Sequence, residues 1–397
     1  MLSTSTFTLN PGATTVFGVG TSLQLPQHLP RGTGRAFVVT DPGVVAAGIV
    51  GPIVDALSSS GVSCEVFDGV EPNPTDANVN AGVERLRAFG DAVVVLVGGG
   101  SAMDCGKAIA IAAPNEGRGI DYGFHVELAD DDTIDLSTLL SARQPEREPY
   151  RTVAVPTTAG TASETNGGGL ITDSASQRKL AFNHDGVKPA AVMLDPNLTL
   201  GLPAGATATC GMDALTHAIE AFTSQAANAY ADALALRAIE LVRSWLPTAV
   251  TQGSDLEARA NMLWAAHIAG LAFSSGPFLG LVHATGHPIS ARFHIPHGQT
   301  LATMLPHVMR FNREVCAHRY GRIGEALGVG HDADEAIAAV EALSVQVGTD
   351  KTLAELGCTE DALDALTQDA LTDLMILTSP RYPTRDEVRA LYTAALG

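Results

Sequence analysis

Histidines are concentrated in one short part of the sequence. Four of the twelve fall within fifteen residues: His283, His287, His294 and His297. Two of these, His283 and His287, are four residues apart, and so are Asp213 and His217 further upstream. Side chains at this spacing lie on one face of a helix with their β-carbons about 5–6 Å apart, close enough to share one cation. A carboxylate with several imidazoles suits Fe(II), Zn(II) or a similar divalent ion.

The rest of the cluster is less regular. His297 lies in a Pro296-His297-Gly298 turn, from which its ring can point toward the same ion. Pro288 is expected to end or bend the helix that carries the downstream histidine pair. His294 is the weakest candidate, because it lies on a stretch of uncertain structure. A single histidine is more often a core or surface residue than a ligand, but the paired spacing and the cluster together favour a metal site.

A glycine-rich turn joins a strand to a helix in the first half of the chain. The apolar segment 92–97 runs into Gly98-Gly99-Gly100-Ser101-Ala102-Met103-Asp104-Cys105-Gly106-Lys107, and a helical segment follows. Glycines at such a turn let backbone N–H groups approach an anion, and the helix N-terminus adds partial positive charge. The turn therefore predicts a pyrophosphate site. It is not the standard G-x-G-x-x-G pattern, so a tight turn without a ligand stays an alternative.

A second loop of small hydroxyl residues also follows a strand. It reads Pro156-Thr157-Thr158-Ala159-Gly160-Thr161-Ala162-Ser163-Glu164. Its side chains suit hydrogen bonds to a phosphate, a ribose or a carboxamide. The alternative is a helix N-cap region in which threonine and serine have only a structural role.

The elements around these loops predict two domains. Short apolar strands at 36–40, 64–67, 92–97 and 152–155 alternate with helical segments, and a strand without polar alternation is typical of a sheet covered on both faces. We therefore expect a doubly wound parallel α/β sheet in residues 1–202. Residues 203–397 are expected to be all helical, with helices at 211–223, 227–245, 256–272, 331–347, 359–367 and 384–396. The segment 117–150 is interpreted as a solvated surface excursion, with a lid as the alternative.

Composition excludes several classes of protein. The formal charge of -19 argues against nucleic-acid binding, which needs clustered Lys and Arg. The five scattered cysteines indicate reduced thiols and a cytoplasmic protein, not a disulfide framework. The first residues lack the pattern of a signal peptide, and no apolar run is long enough to span a membrane.

The chain resembles the iron-containing (group III) alcohol dehydrogenases over nearly its whole length. The motifs that carry the resemblance are Phe17-Gly18-Val19-Gly20, Gly98-Gly99-Gly100-Ser101-x-x-Asp104-x-x-Lys107, Pro156-Thr157-Thr158-Ala159-Gly160-Thr161, Asp195-Pro196 with Leu202-Pro203, Gly211-Met212-Asp213-Ala214-Leu215-x-His217-Ala218-x-Glu220, and His283-x-x-x-His287-Pro288 with Pro296-His297-Gly298. The resemblance implies a dehydroquinate synthase-like architecture, with a dinucleotide-binding domain, a helical domain and a metal in the cleft between them.

The resemblance also implies roles for individual residues. The metal ligands would be Asp213, His217, His283 and His297, and His287 would be an additional histidine linked to proton transfer or nicotinamide contact. Asp41 would bind the adenine ribose and repel a 2′-phosphate, which favours NAD over NADP. The other cofactor contacts would be Gly98, Gly99, Ser101, Asp104, Thr157, Thr158, Thr161, Lys179 and Leu198. The run Asn166-Gly167-Gly168-Gly169 departs from the family in its glycine content, and we expect it to alter the pocket beside the nicotinamide.

The expected reaction is hydride transfer between a metal-bound alcohol and NAD(P), or its reverse with an aldehyde or ketone. Fe(II) is the expected metal and Zn(II) the alternative. The partners would be a small alcohol or carbonyl compound and further copies of the chain in a dimer or larger homo-oligomer. A dehydroquinate synthase-like lyase is disfavoured because the motifs contain few Lys and Arg for a phosphorylated acid. A metal-assisted hydrolase would not need the dinucleotide loop, and a non-catalytic binding protein would not need an intact ligand set.

Overall fold

The structure is a computed structural model that describes residues 13–124, 126–176 and 178–397, without the side chains of residues 139–141. The N-terminal residues, where the sequence predicts no signal peptide, lie outside the described part. The chain divides into two compact units. One contains 13–124 and Ser137–Gly201, and the other contains Val126–Leu136 and Leu202–Gly397.

The first unit is built on a sheet of six parallel strands, as the sequence predicts. The strands are β1 (Thr14–Phe17), β2 (Arg35–Val39), β3 (Ser63–Phe67), β4 (Val93–Gly98), β5 (Thr152–Pro156) and β8 (Ala191–Leu194), in the order β1-β8-β5-β4-β2-β3. Strands β6 (Gly168–Asp173) and β7 (Arg178–Asn183) form a separate antiparallel hairpin. The sequence predicts β2 to β5 but misses β1, β8 and the hairpin.

The strand order reverses between β2 and β4. The chain passes from β2 to the edge strand β3 and then returns to β4 on the other side of β2. Residue Val39 of β2 is in register with Leu96 of β4, so the residues that follow both strands lie at the same edge of the sheet. In doubly wound sheets, ligands bind outside the carboxyl ends of the strands at such a reversal.

The α-helices that the described residues of this unit form are α1 (Pro42–Ala46), α2 (Val50–Ser59), α3 (Asp76–Phe89) and α4 (Gly100–Ala112). N-terminal capping residues mark the start of two of these helices. The Asp41 side chain caps α1, and a capping box of Thr75 and Asn78 caps α3. Helix α4 packs closely on β4 because a β-carbon at Gly106 would lie 2.3 Å from Leu96 Cδ2. The glycine after Cys105 therefore determines how near the helix lies to the sheet.

A buried carboxylate accounts for two sequence motifs of this unit. Asp195, at the end of β8, accepts hydrogen bonds from the backbone of Gly20 and from the backbone and hydroxyl of Ser22. The Phe17–Gly20 turn and the Asp195-Pro196 pair thus form one contact at the ends of two adjacent strands, β1 and β8, which are the first and last of the sheet in chain order.

The second unit consists mainly of helices. These are α5 (Ala204–Thr223), α6 (Ala229–Thr251), α7 (Leu256–Ser274), α8 (Leu281–Phe293), α9 (His297–Leu327), α10 (Ala333–Val347), α11 (Leu363–Leu371) and α12 (Arg385–Leu396). Helix α12 begins with the capping box of Thr384 and Glu387. Helix α8 does not end at Pro288 but continues to Phe293, and His297 is the first residue of α9. A proline removes only one backbone donor, and the burial of nearly all of α8 offsets that loss.

The interpretation of 117–150 as a solvated excursion is correct for its charged runs, in which Asp130, Asp131 and residues 146–148 are exposed, but wrong for its apolar residues. Ile120, Tyr122, Val126 and Ile134 are all buried, because the segment contributes apolar side chains to packed cores. Its part Val126–Leu136 belongs to the helical unit. There Asp132 Oδ1 accepts a 2.5 Å hydrogen bond from Arg385 Nη2 of α12.

Two expectations about the chain as a whole can be compared with the structure. All five cysteines are free thiols; Cys105, Cys316 and Cys358 are buried, and Cys64 and Cys210 are half-buried. Within the described residues, no helix combines the length and the apolar character needed to cross a bilayer.

Candidate functional site

The paired residues of the histidine cluster come from three helices of the second unit. Helix α5 carries Asp213 and His217, α8 carries His283 and His287, and α9 begins with His297. Asp213 Oδ1 lies 3.2 Å from His217 Nε2, 3.8 Å from His283 Nε2 and 3.9 Å from His297 Nε2. The structure therefore arranges three imidazoles around one carboxylate oxygen.

The spacing of these atoms suits a single metal ion. Asp213, His283 and His297 each offer one ligand atom, and these atoms all lie within 4.8 Å of one another. Ligand atoms about 2.0–2.2 Å from a tetrahedral zinc would be about 3.4 Å apart. His217 is outside this group of three, although its Nε2 is near Asp213 and its ring stacks on that of His283 at 4.9 Å. His294 is exposed at the left-handed C-cap of α8 and does not belong to the group.

The electrostatics of the cluster also favour a cation. Asp213 Oδ1 and His283 Nε2 are buried and have no hydrogen-bond partner among the residues that the structure describes. Burial alone would raise the pKa of Asp213, but His217, His283 and His297 outweigh it and hold that pKa well below its ordinary value. A buried, ionised carboxylate oxygen and a ring nitrogen without partners are costly unless a cation binds between them. The donor set thus fits the divalent metal that the sequence predicts.

In both histidines of α8, the ring nitrogen Nδ1 contacts a carboxylate. His283 Nδ1 is 2.6 Å from Glu220 Oε2, and His287 Nδ1 is 2.6 Å from Asp373 Oδ2. Sequence reasoning assigned no role to Glu220 or Asp373. Glu220 could have been found, because it follows Asp213 by seven residues and thus lies on the same helix face. Asp373 is separated from His287 by 86 residues, and no local pattern connects the two.

In the first unit, the glycine-rich turn leads from β4 into α4. Gly98 has a φ of 150°, and Gly99 is the N-cap of α4, with no side-chain cap among the described residues. A β-carbon at Gly99 would lie 3.2 Å from Thr158 Cγ2, and one at Gly100 would lie 3.0 Å from Thr161 Cγ2. The two predicted cofactor loops therefore touch each other at glycine positions.

The turn has the properties of an anion site. Thr158 Oγ1 is buried without a hydrogen-bond partner in the part of the chain that the structure describes. It lies beside the uncapped first turn of α4, where Ser101 is the second residue. Thr157, next to it, is buried, and its backbone N–H bonds to Gly98 O. A helix N-terminus without a side-chain cap and a hydroxyl without a hydrogen bond, both judged within the described residues, fit a pyrophosphate.

Asp41 lies at the same edge of the sheet as Gly98. Asp41 and Gly98 each lie two residues after the paired Val39 of β2 and Leu96 of β4, and Gly98 is the last residue of β4. Asp41 Oδ1 accepts the Val44 N–H at 3.0 Å, and Oδ2 faces the α-carbon of Gly98, 3.5 Å from where a β-carbon would stand. One carboxylate oxygen thus caps α1 while the other faces the glycine turn.

Asp104 and Lys107 connect α4 to the second loop and to the hairpin. Asp104 accepts hydrogen bonds from Ser163 Oγ and from the backbone of Leu170. The fully buried Lys107 ammonium donates to Ser163 O and Oγ and to Gly168 O at 2.6–2.7 Å. Burial lowers the pKa of Lys107 to about 8, although Asp104 and Glu164 oppose that shift. Both residues therefore hold the second loop in place.

The other predicted cofactor residues occupy different parts of the first unit. Lys179, in β7, exerts an electrostatic effect on Asp104, and Leu198 packs against the core of the sheet. The glycine run after the second loop has a packing reason. A β-carbon at Gly167 would lie 2.3 Å from His184 O, and one at Gly169 would lie 2.5 Å from Phe182 Cζ. These glycines let the hairpin close tightly.

Comparison with known families agrees with this geometry. The model of the family "Iron-containing alcohol dehydrogenase" matches residues 12–196, and that of "Fe-containing alcohol dehydrogenase family, C-terminal" matches residues 207–396. Among curated proteins, the chain is 41% identical over 366 residues to a probable alcohol dehydrogenase EutG of Salmonella typhimurium, covering 92% of this chain and 88% of that protein. It is 37% identical over 373 residues to a 1,3-propanediol dehydrogenase of Klebsiella pneumoniae, covering 92% of each.

Solved structures agree over the whole chain. A 1,3-propanediol oxidoreductase superposes with a TM-score of 0.88 at 35% identity, covering 98% of this chain and all of the other. The archaeal alcohol dehydrogenase ADH/D1 from a Red Sea brine pool superposes with a TM-score of 0.91 at 29% identity, covering both chains completely. These matches confirm the resemblance found in the sequence motifs. The chain belongs to the iron-containing alcohol dehydrogenase family.

Proposed function

We propose that this chain oxidises short primary alcohols, or reduces the corresponding aldehydes, with NAD(H) and one divalent metal, Fe(II) in preference to Zn(II). The observation that carries the proposal is a pair of buried atoms, Asp213 Oδ1 and His283 Nε2, that make no hydrogen bond within the described residues, with three imidazole nitrogens within 4 Å of that oxygen. The relatives support the substrate class, because they are named as 1,3-propanediol and NAD-dependent methanol dehydrogenases.

The metal would be held by Asp213, His217, His283 and His297. When bound, the metal supplies a Lewis acid that acidifies an alcohol or polarises a carbonyl, and NAD supplies the hydride acceptor. Asp213 would contribute a carboxylate oxygen and the three histidines their ring nitrogens, with Asp213 Oδ1 3.2–3.9 Å from each Nε2. Asp213, His217 and His283 are buried, which strengthens their electrostatic effect, and His297 is partly exposed.

We assign proton handling to His287. It lies one turn after His283 on α8, is buried, and stacks on His297 with ring centroids 5.2 Å apart. Asp373 accepts the Nδ1 proton of His287, so Nε2 is the nitrogen available to exchange a proton with substrate. Asp373 itself is anchored, since its other oxygen accepts the Met375 N–H.

The dinucleotide would lie on the first unit. The pyrophosphate would meet the Gly98–Ser101 turn and the Thr158 hydroxyl, and Asp41 would accept from the adenine ribose. Two negative charges cannot approach closely at low cost, so Asp41 favours NAD over NADP. Cytoplasmic location and a dimer or larger assembly stay predictions of the sequence.

The test is oxidation of NADH, followed by its ultraviolet absorbance, over a panel of aldehydes and ketones of increasing chain length. Metal-stripped protein, protein reloaded with Fe(II) or Zn(II), and the Asp213→Asn variant are compared under the same conditions. We expect activity with short aldehydes that returns only on reloading and is lost in the variant. Equal activity in stripped and reloaded wild-type protein would contradict the proposal.

A further inference from the structure

Glu220 is a buried carboxylate outside the proposed ligand set. It follows Asp213 by seven residues and His217 by three, so the three side chains leave neighbouring positions on one face of α5. Only 6% of the Glu220 side chain is exposed. A buried carboxylate this close to a metal site needs partners of its own.

Both oxygens of Glu220 are occupied by helix α8. Oε2 lies 2.6 Å from His283 Nδ1, and Oε1 accepts the backbone N–H of Val282 at 2.6 Å. Helix α8 begins at Leu281, and within the described residues its N-cap, Gly280, supplies no side-chain cap. The carboxylate from α5 therefore satisfies a donor in the first turn of α8, where a negative charge is also favoured by the helix dipole.

Gly280 makes this approach possible. A β-carbon at position 280 would lie 2.8 Å from Glu220 Oε1 and 3.2 Å from the carboxyl carbon. The φ of Gly280 is -151°, an extended value that any residue adopts, so the backbone does not require glycine there. The close contact with the carboxylate is the reason for glycine at this position.

The contact with His283 also determines which ring nitrogen faces the metal site. A carboxylate 2.6 Å from Nδ1 accepts the proton there, which leaves the lone pair on Nε2. Nε2 is the atom that lies 3.8 Å from Asp213 Oδ1. Carboxylate partners of this kind orient histidine ligands and raise their basicity.

We propose that Glu220 is a positioning residue that sets metal affinity by tying α5 to α8 and holding His283 with Nε2 toward Asp213. The inference rests on the metal site of the proposed function. It assigns Glu220 no contact with substrate or metal. Its effect therefore has to pass through His283.

Two variants test the contact in different ways. Glu220→Gln keeps the shape, but an amide has a single acceptor oxygen and cannot accept from both Val282 N–H and His283 Nδ1–H. Gly280→Ala keeps the carboxylate and pushes it away from α8. We expect each to weaken Co(II) binding to the stripped full chain by about 10–100-fold, measured by competition with a chelator. Glu240→Gln, on the exposed part of α6, is the matched control and should leave affinity unchanged.

A double-mutant cycle separates positioning from a general structural role. In a His283→Ala background, Glu220→Gln should change Co(II) affinity by no more than about twofold, because the ligand through which it acts is gone. An equal loss of affinity in both backgrounds would show that Glu220 acts on the fold and overturn the proposal, as would wild-type affinity in both single variants. If the wild-type protein itself does not bind Co(II), the metal site fails and the role of Glu220 with it.

Discussion

Gly298 should control whether His297 can reach the metal site. A β-carbon at position 298 would lie 2.2 Å from Thr209 O and 2.7 Å from Thr209 C. These are backbone atoms of α5, one turn before Asp213, and they cannot rotate away as a side chain could. Since contacts in packed interiors are about 3.5 Å, Gly298→Ala requires the start of α9 to move from α5 by about 1 Å.

That movement carries His297 with it, since His297 immediately precedes Gly298 in α9. In the wild-type structure, His297 Nε2 lies 3.9 Å from Asp213 Oδ1, a separation that one ion can bridge. Metal–nitrogen distances vary by only about 0.2 Å, so a shift of about 1 Å removes His297 as a ligand. We expect Gly298→Ala to weaken Co(II) binding by at least about 100-fold and to lower the free energy of unfolding of the metal-free protein by about 1–3 kcal/mol.

Gly205→Ala is the matched control for Gly298→Ala. Gly205 lies in α5, and a β-carbon there would meet no atom within 4 Å. This change should leave metal affinity unchanged and raise stability by up to about 1 kcal/mol, because alanine favours the helix. Both quantities are measured by chelator competition and by urea unfolding. If Gly298→Ala bound Co(II) as tightly as wild type and unfolded at the same urea concentration, the close packing of α9 on α5 would not position His297.

Three further predictions concern the first unit. Asp41→Asn keeps a side chain that caps α1 but removes the negative charge, so the ratio of kcat/KM for NADPH to that for NADH should rise about tenfold. An unchanged ratio would show that Asp41 does not determine the preference for NADH. Thr158→Val removes the hydroxyl that makes no hydrogen bond to any described residue and should weaken NADH binding about tenfold in a fluorescence titration, without changing Co(II) affinity; equal NADH affinity would contradict this. The pKa of Lys107 is about 8 when folded, below its ordinary value of 10.5, so the unfolded chain holds more protons between these two pH values. The free energy of unfolding of wild type relative to Lys107→Met should therefore rise by up to about 3 kcal/mol from pH 8 to 10.5 in urea titrations, and parallel pH curves would refute the shift.

Local patterns in the sequence were sufficient for much of the site. The i, i+4 spacing of Asp213 with His217 and of His283 with His287 predicts one shared face on each helix, and the structure has both pairs on helices. The apolar run before Gly98 predicts β4 and the turn that follows it. Periodicity and glycine content are properties of neighbouring residues, so they can be seen without the fold.

Tertiary structure decided which distant residues support these groups. Glu220 and His283 are separated by 63 residues, and His287 and Asp373 by 86, so no periodic pattern connects them. The requirement for glycine at 298 arises only where α9 meets the backbone of α5. The sequence by itself determined the chemistry of the candidate ligands and the local elements that carry them. Packing alone decided how those elements meet, because distances between distant segments depend on the close contact of whole helices.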